Sequence, residues 1–231
     1  SVRCIYETGL GEDEPYQVSV AAGAKQCVYV ALRALVNPGD EVFVPAPYWV
    51  SYIELVRMMG SVPVVVTAEE SAGFKITAQQ LRDAITPKTK AMILNNPSNP
   101  TGMVYNGEEL KALVDVCVEN DLYIIADEIY SCLLYDGLKF TSVASLGEEV
   151  KKRTILINGV SKAYAMTGWR IGYALAEPEI IKVMSNYLSH CAGSCCTISQ
   201  KAAEAALSGS QEKLETMRQA FEERRNYLVE R

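Results

Sequence analysis

The chain has 231 residues, 49% of them hydrophobic and 22% charged, a balance ordinary for a globular α/β protein of one large or two small domains. That composition excludes intrinsic disorder, collagen-like sequence and a disulfide-stapled miniprotein, and a net charge of −6 argues against nucleic acid as a partner. The longest stretch without Asp, Glu, Lys or Arg, Val183 to Gln200, is rich in Ser, Asn and Cys and does not read as a membrane span.

Strand-like and helix-like segments alternate along the whole sequence. Gln17 to Ala21 reads as a short strand, followed by Gly23-Ala24-Lys25. Val28, Leu32, Leu35 and Val36 then fall at helical spacing and predict a helix from about Gln26 to Val36, stopped by Asn37-Pro38-Gly39-Asp40. Glu41 to Val44 is the next expected strand and Tyr48 to Met59 the next helix. Val62 to Val66 is β-branched and reads as a buried strand. Thr77 to Ile85 reads as a helix with Thr77 as N-cap, and Ala91 to Leu94 as a strand running into a loop of Pro, Asn and Gly. An amphipathic helix over Glu108 to Asn120 leads to an apolar strand, Leu122 to Ala126, that ends at Asp127. Strands are expected at Thr154 to Asn158 and Ile171 to Ala176, and a helix at Glu179 to Tyr187. From Ser199 to Arg231 the pattern is helical and increasingly charged. No stop signal follows Glu222 to Arg225, so the sequence reads as a piece of a longer chain. Short apolar strands alternating with helices predict a three-layer αβα sandwich around a mostly parallel sheet, in one domain over 1–231.

In such sheets, ligand-binding groups collect at the carboxyl ends of the strands. Gly23-Ala24-Lys25 follows the first strand. Asn96 to Gly102 follows the strand ending at Leu94. Asp127, Glu128 and Tyr130 follow the next, and Ser161 and Lys162 the one after, with Arg170 just before the last. One acid, one lysine, one arginine, one tyrosine and a helix N-terminus are therefore expected at a common edge. No G-x-G-x-x-G fingerprint and no Walker A lysine loop accompanies them, which removes the best support for a nicotinamide or nucleoside triphosphate site.

Four segments, A-P-Y-W (46–49), N-P-S-N-P-T-G (96–102), D-E-I-Y (127–130) and S-K-A-Y-A-M-T-G-W-R-I-G-Y (161–173), together resemble the fold type I, class I aminotransferases, most closely the aspartate and prephenate aminotransferase branch. The resemblance implies pyridoxal 5′-phosphate (PLP) as cofactor, and an amino acid of aspartate or glutamate type plus a 2-oxo acid as substrates. It implies that Lys162 holds the cofactor as a Schiff base and shuttles the proton, and that Asp127 keeps the ring nitrogen protonated. Asn99 and Tyr130 are implied as donors to the ring hydroxyl oxygen, with Trp49 as the flat face over the ring. Ser161, Arg170 and the backbone N–H groups of Ala24 and Lys25 are implied to hold the phosphate. Lys162, Asp127 and Tyr130 are thus the expected catalytic set, and Lys25, Trp49 and Asn99 the expected substrate contacts. Lys25 reads equally as a group reaching a distal carboxylate and as an exposed lysine at a helix start. Tyr52 lies near the same pocket by resemblance, with no role assigned.

The family pattern also sets expectations about what this sequence lacks. The arginine that binds the substrate α-carboxylate belongs to a C-terminal small domain, and an N-terminal arm contributes to a neighbouring subunit. Neither is matched here. The 231 residues are therefore expected to be the PLP-binding large domain, able to take cofactor yet transaminating poorly or not at all alone, and to form a homodimer. Another fold type I activity, such as a carbon–sulfur lyase, and a non-catalytic PLP-binding module use the same motifs and stay open. No leader is seen at the start, and seven cysteines without a framework read as reduced thiols in the cytoplasm. His190, Cys191, Cys195 and Cys196 fall in one stretch rather than in paired knuckles, so no metal site is expected, and small buried thiols are.

Overall fold

A computed structural model describes residues 17–231; the expected absence of a leader, and Cys4, lie outside them. The chain order is β1 (Gln17–Ala21), α1 (Ala24–Leu35), β2 (Glu41–Ala46), α2 (Ser51–Met58), β3 (Val62–Thr67), α3 (Ala78–Ala84), β4 (Thr89–Asn95), α4 (Gly107–Glu119), β5 (Tyr123–Asp127), α5 (Glu148–Arg153), β6 (Thr154–Gly159), β7 (Gly172–Ala176), α6 (Pro178–Cys191), α7 (Thr197–Ser208) and α8 (Glu212–Val229), with short 3₁₀ turns between some of them. The strands form one sheet ordered β1-β7-β6-β5-β4-β2-β3. All neighbours run parallel except β7, which is antiparallel to both β1 and β6.

Period-two alternation sends the strand side chains into two separate cores. Val42, Val44, Ile93, Ile125, Ile155 and Ile157 face α1, whose Cys27, Val28, Ala31 and Leu32 recur at helical spacing, and α6 adds Ile181, Met184 and Leu188. Phe43, Met92, Leu94, Ile124 and Ala126 face the other way, onto Leu110, Leu113, Val114 and Cys117 of α4. Each large aliphatic side chain buried in this way contributes about 1.5–3 kcal/mol. Both faces are covered, as the sequence predicts for a three-layer sandwich.

Local chemistry sets the helix starts. Thr77 and Asn106 each close a capping box, with Gln80 and Glu109 respectively, so α3 and α4 begin with satisfied amides. Several expectations are corrected. The strand at Val62 is not buried: it is the sheet edge, leaving Val62 and Val65 about half exposed. The helix expected from Tyr48 starts only at Ser51, so Trp49 stays in the loop directly after β2. The helical stretch from Ser199 onward divides into α7 and α8 at Gly209, and the sequence does not predict α5. Cys191 and Cys196 are exposed rather than buried, because α6 extends to Cys191 and its link to α7 runs over the surface. Among the described residues no group of three His, Cys, Asp or Glu could hold a metal, and no helix is long and apolar enough to cross a membrane.

Candidate active site

β1, β2, β4, β5 and β6 are mutually parallel, so their carboxyl ends share one edge of the sheet, and antiparallel β7 brings its amino end there. That edge carries a cleft of about 250 Å³. Ala24, Lys25, Trp49, Asn99, Asp127, Tyr130, Ser161, Lys162 and Arg170 all line it, so the nine residues singled out from the sequence meet at one place. Tyr52, Asn95, Ile129 and Thr167 line it as well.

Asp127 forms the floor. It is 3% exposed. Its Oδ2 accepts a hydrogen bond from the Tyr52 hydroxyl at 2.7 Å, and its Oδ1 accepts the Ile129 amide at 3.2 Å. Burial raises its pKa above the ordinary value; the Tyr52 and Ile129 hydrogen bonds and the Lys162 charge oppose that rise. Tyr52 is pushed well upward by burial and by the adjacent Asp127 charge, so it stays a donor. Cys27, wholly buried nearby, is likewise raised by burial and then by Asp127, which makes it an inert thiol.

Asn99 and Tyr130 stand together on one wall, with Asn99 Nδ2 donating to the Tyr130 hydroxyl oxygen at 3.3 Å. Burial raises the Tyr130 phenol, partly offset by that hydrogen bond, so its proton remains available for donation. Lys162 Nζ lies 5.9 Å from the centre of the Tyr130 ring. Trp49, also in the lining, packs edge-on against Tyr52 with ring centres 5.4 Å apart, and Lys25 Nζ sits 4.8 Å from the Trp49 ring centre.

The remaining wall is an anion cradle. α1 opens at Ala24, and the first amides of a helix have no intrahelical acceptor. The Arg170 guanidinium lies beside this opening, donating to the Ala22 carbonyl at 3.0 Å and the Thr167 carbonyl at 2.8 Å. A Cβ at Gly23 would overlap that guanidinium, so the absence of a side chain there makes room for the cation. Ser161 is adjacent. Free helix amides, an arginine and a hydroxyl fit a phosphate. An aromatic wall above a buried carboxylate fits a protonated nitrogen heterocycle. A lysine at the mouth can bond covalently to a carbonyl carbon. Together these groups can hold a phosphate, a protonated ring nitrogen and a carbonyl carbon of one ligand.

Tyr52, Asn95, Ile129 and Thr167 are the lining residues to which the sequence assigns no role, and the first two make side-chain hydrogen bonds to Asp127. Tyr52 lies three residues after Trp49, one helical turn, which was a usable signal. Asn95 is the last residue of β4, one position before the N-P-S-N-P-T-G segment.

Residues 7–231 match the family described as Aminotransferase class I and II. The chain is 52% identical over 218 residues to an aspartate aminotransferase of Geobacillus stearothermophilus, covering 94% of this chain and 56% of that protein. It is 49% identical to an aspartate/prephenate aminotransferase of Cereibacter sphaeroides, covering 93% and 54% respectively. The crystal structure of an aspartate aminotransferase from Rhizobium meliloti superposes with a TM-score of 0.94 at 40% identity, over 99% of this chain and 57% of that one. The chain belongs to the class I and II aminotransferase family. It spans a little over half the length of these relatives.

Proposed function

We propose that this chain forms the cofactor-binding large domain of an aminotransferase that moves the amino group of an aspartate- or glutamate-type amino acid to a 2-oxo acid, using PLP. The observation that carries this reading is the convergence of Lys162, Asp127 and Arg170 on one cleft at the sheet edge. PLP, when bound, supplies an electron sink that stabilises negative charge at the substrate α-carbon. Lys162 would hold the cofactor covalently and, when free of it, would carry a proton at the substrate α-carbon. Asp127, whose carboxylate accepts the Tyr52 hydroxyl and the Ile129 amide, would accept a hydrogen bond from the ring nitrogen. Asn99 and Tyr130 would donate to the ring hydroxyl oxygen, and Trp49 would cover the ring. Arg170, Ser161 and the Ala24 and Lys25 amides would hold the phosphate.

Two relatives named for aspartate as a substrate, together with Lys25 at the mouth beside Trp49, support a dicarboxylic substrate. The exposed apolar side chains Val50, Met58 and Trp169 support a homodimer, and free cysteines support the cytoplasm.

The test is visible absorbance during titration with PLP, then borohydride reduction and peptide mapping. A yellow band with the reduced label on Lys162 supports the reading. No band, or label spread over surface lysines, sinks it. In the complete enzyme, oxaloacetate formed from aspartate and a 2-oxo acid, rather than a thiol released from a cysteine-type substrate, separates transamination from a carbon–sulfur lyase.

A further inference from the structure

We infer that Asn95 is a positioning residue, a side-chain clamp that registers the Asp127 side of the cleft against the Asn99–Tyr130 side. Asn95 closes β4 and pairs in register with Asp127 on β5. Its Nδ2 donates to the Asp127 carbonyl oxygen at 2.9 Å, and its Oδ1 accepts the Asn99 backbone N–H at 2.7 Å. Asn99 then donates through its own side chain to Tyr130 at 3.3 Å. One amide thus ties the backbone of the buried acid to the loop that carries Asn99.

The residue type follows from the partners. A carbonyl oxygen takes only a donor and a peptide N–H takes only an acceptor, so the side chain must present one of each from a short, planar group. Asparagine does so, aspartate presents acceptors only, and serine is too short to reach both. Ser98 bonds to Met103 and to Gly102, which closes the turn on itself, while the Asn96 amide reaches the same Asp127 carbonyl at 3.2 Å without touching Asn99. The bond from Asn99 N–H to Asn95 instead ties that turn to the end of the strand.

The inference rests on the cleft being a PLP site with Asn99 as a donor to the ring hydroxyl oxygen. Donors there stabilise the oxygen's anionic form, so weakening one raises the pH midpoint of the visible band of the PLP-loaded protein. The experiment measures that midpoint in wild type, N95A, N99A and the N95A/N99A double variant, with melting temperatures alongside. The expected result is a rise of about one pH unit for N95A, the size of one lost hydrogen bond to a charged group. The rise in N99A should be in the same direction, and the double variant should go no further than N99A. A wild-type midpoint in N95A while N99A shifts overturns the clamp and leaves the cofactor reading standing, as do fully additive shifts in the double variant. A wild type without a visible band, or an N99A midpoint that does not move, overturns the cofactor reading and the clamp with it. Should N95A fail to fold, N95S keeps a polar atom at the strand end without reaching both partners, and the same shift is expected of it.

Discussion

The Tyr52 hydroxyl donates to Asp127 Oδ2 across 2.7 Å in a fully enclosed part of the site, joining the first turn of α2 to the end of β5. A buried carboxylate keeps its charge only when its lone pairs are satisfied, and Tyr52 is the side chain that satisfies one. Removing that hydroxyl in Tyr52→Phe leaves the charged form less stabilised. The expected effect is PLP binding weaker by about ten-fold, since a hydrogen bond to a charged group is worth roughly 1.5–3 kcal/mol. Fluorescence titration of wild type and Y52F measures it; equal affinities would show that Asp127 does not depend on Tyr52.

The elevated pKa of Asp127 makes a pH-dependent prediction for the cofactor-free protein. A carboxyl whose folded pKa lies above its ordinary 3.8 binds more protons folded than unfolded between those two values. Stability therefore falls as pH rises from 3.8 through the folded pKa, and the full penalty persists above it. Asp127→Asn, which carries no charge, should melt higher than wild type at neutral pH, with the gap closing as pH drops toward 4. Melting temperatures at several pH values without PLP test this. A gap that is independent of pH would assign the difference to packing instead.

Arg170 touches two carbonyls and stands at the opening of α1, which a lysine's single ammonium cannot reproduce. Arg170→Lys is expected to weaken PLP binding by about ten- to hundred-fold while leaving binding of pyridoxal, which lacks the phosphate, nearly unchanged. Comparing the two ligands by absorbance titration isolates the phosphate. Equal losses for both would remove Arg170 from the cradle.

Gly172 is where β7 passes under the Gly23–Ala24 turn. A Cβ there would overlap the Ala24 amide nitrogen and the Gly23 carbonyl carbon, which are backbone atoms with no rotamer to yield. Gly172→Ala should push the start of α1 away from the sheet, destabilising the fold by about 2–3 kcal/mol and weakening PLP binding further. Urea unfolding and PLP titration check both, and a variant as stable as wild type would show that the turn is free to move.

The sheet, its layering and the order of its elements were legible in the sequence because hydrophobic periodicity records which face of each segment is buried. The positions expected for Asp127, Asn99, Ser161 and Lys162 followed from their places just beyond apolar strands, and their chemistry from the motifs around them. Strand pairing order is a property of the folded sheet, so nothing in Val62 to Val66 distinguished an edge strand from a central one. Trp49 and Tyr52 read as one helix, and only the later start of α2 separated the loop residue from the residue on the turn beneath it. The tie from Tyr52 to Asp127 spans 75 positions, and that of Asn95 to the Asp127 carbonyl 32. Local sequence determined which side chains were available at the strand ends. Hydrogen bonds between groups distant in sequence, made possible by parallel strands that end at one edge, decided which of them hold the others in place.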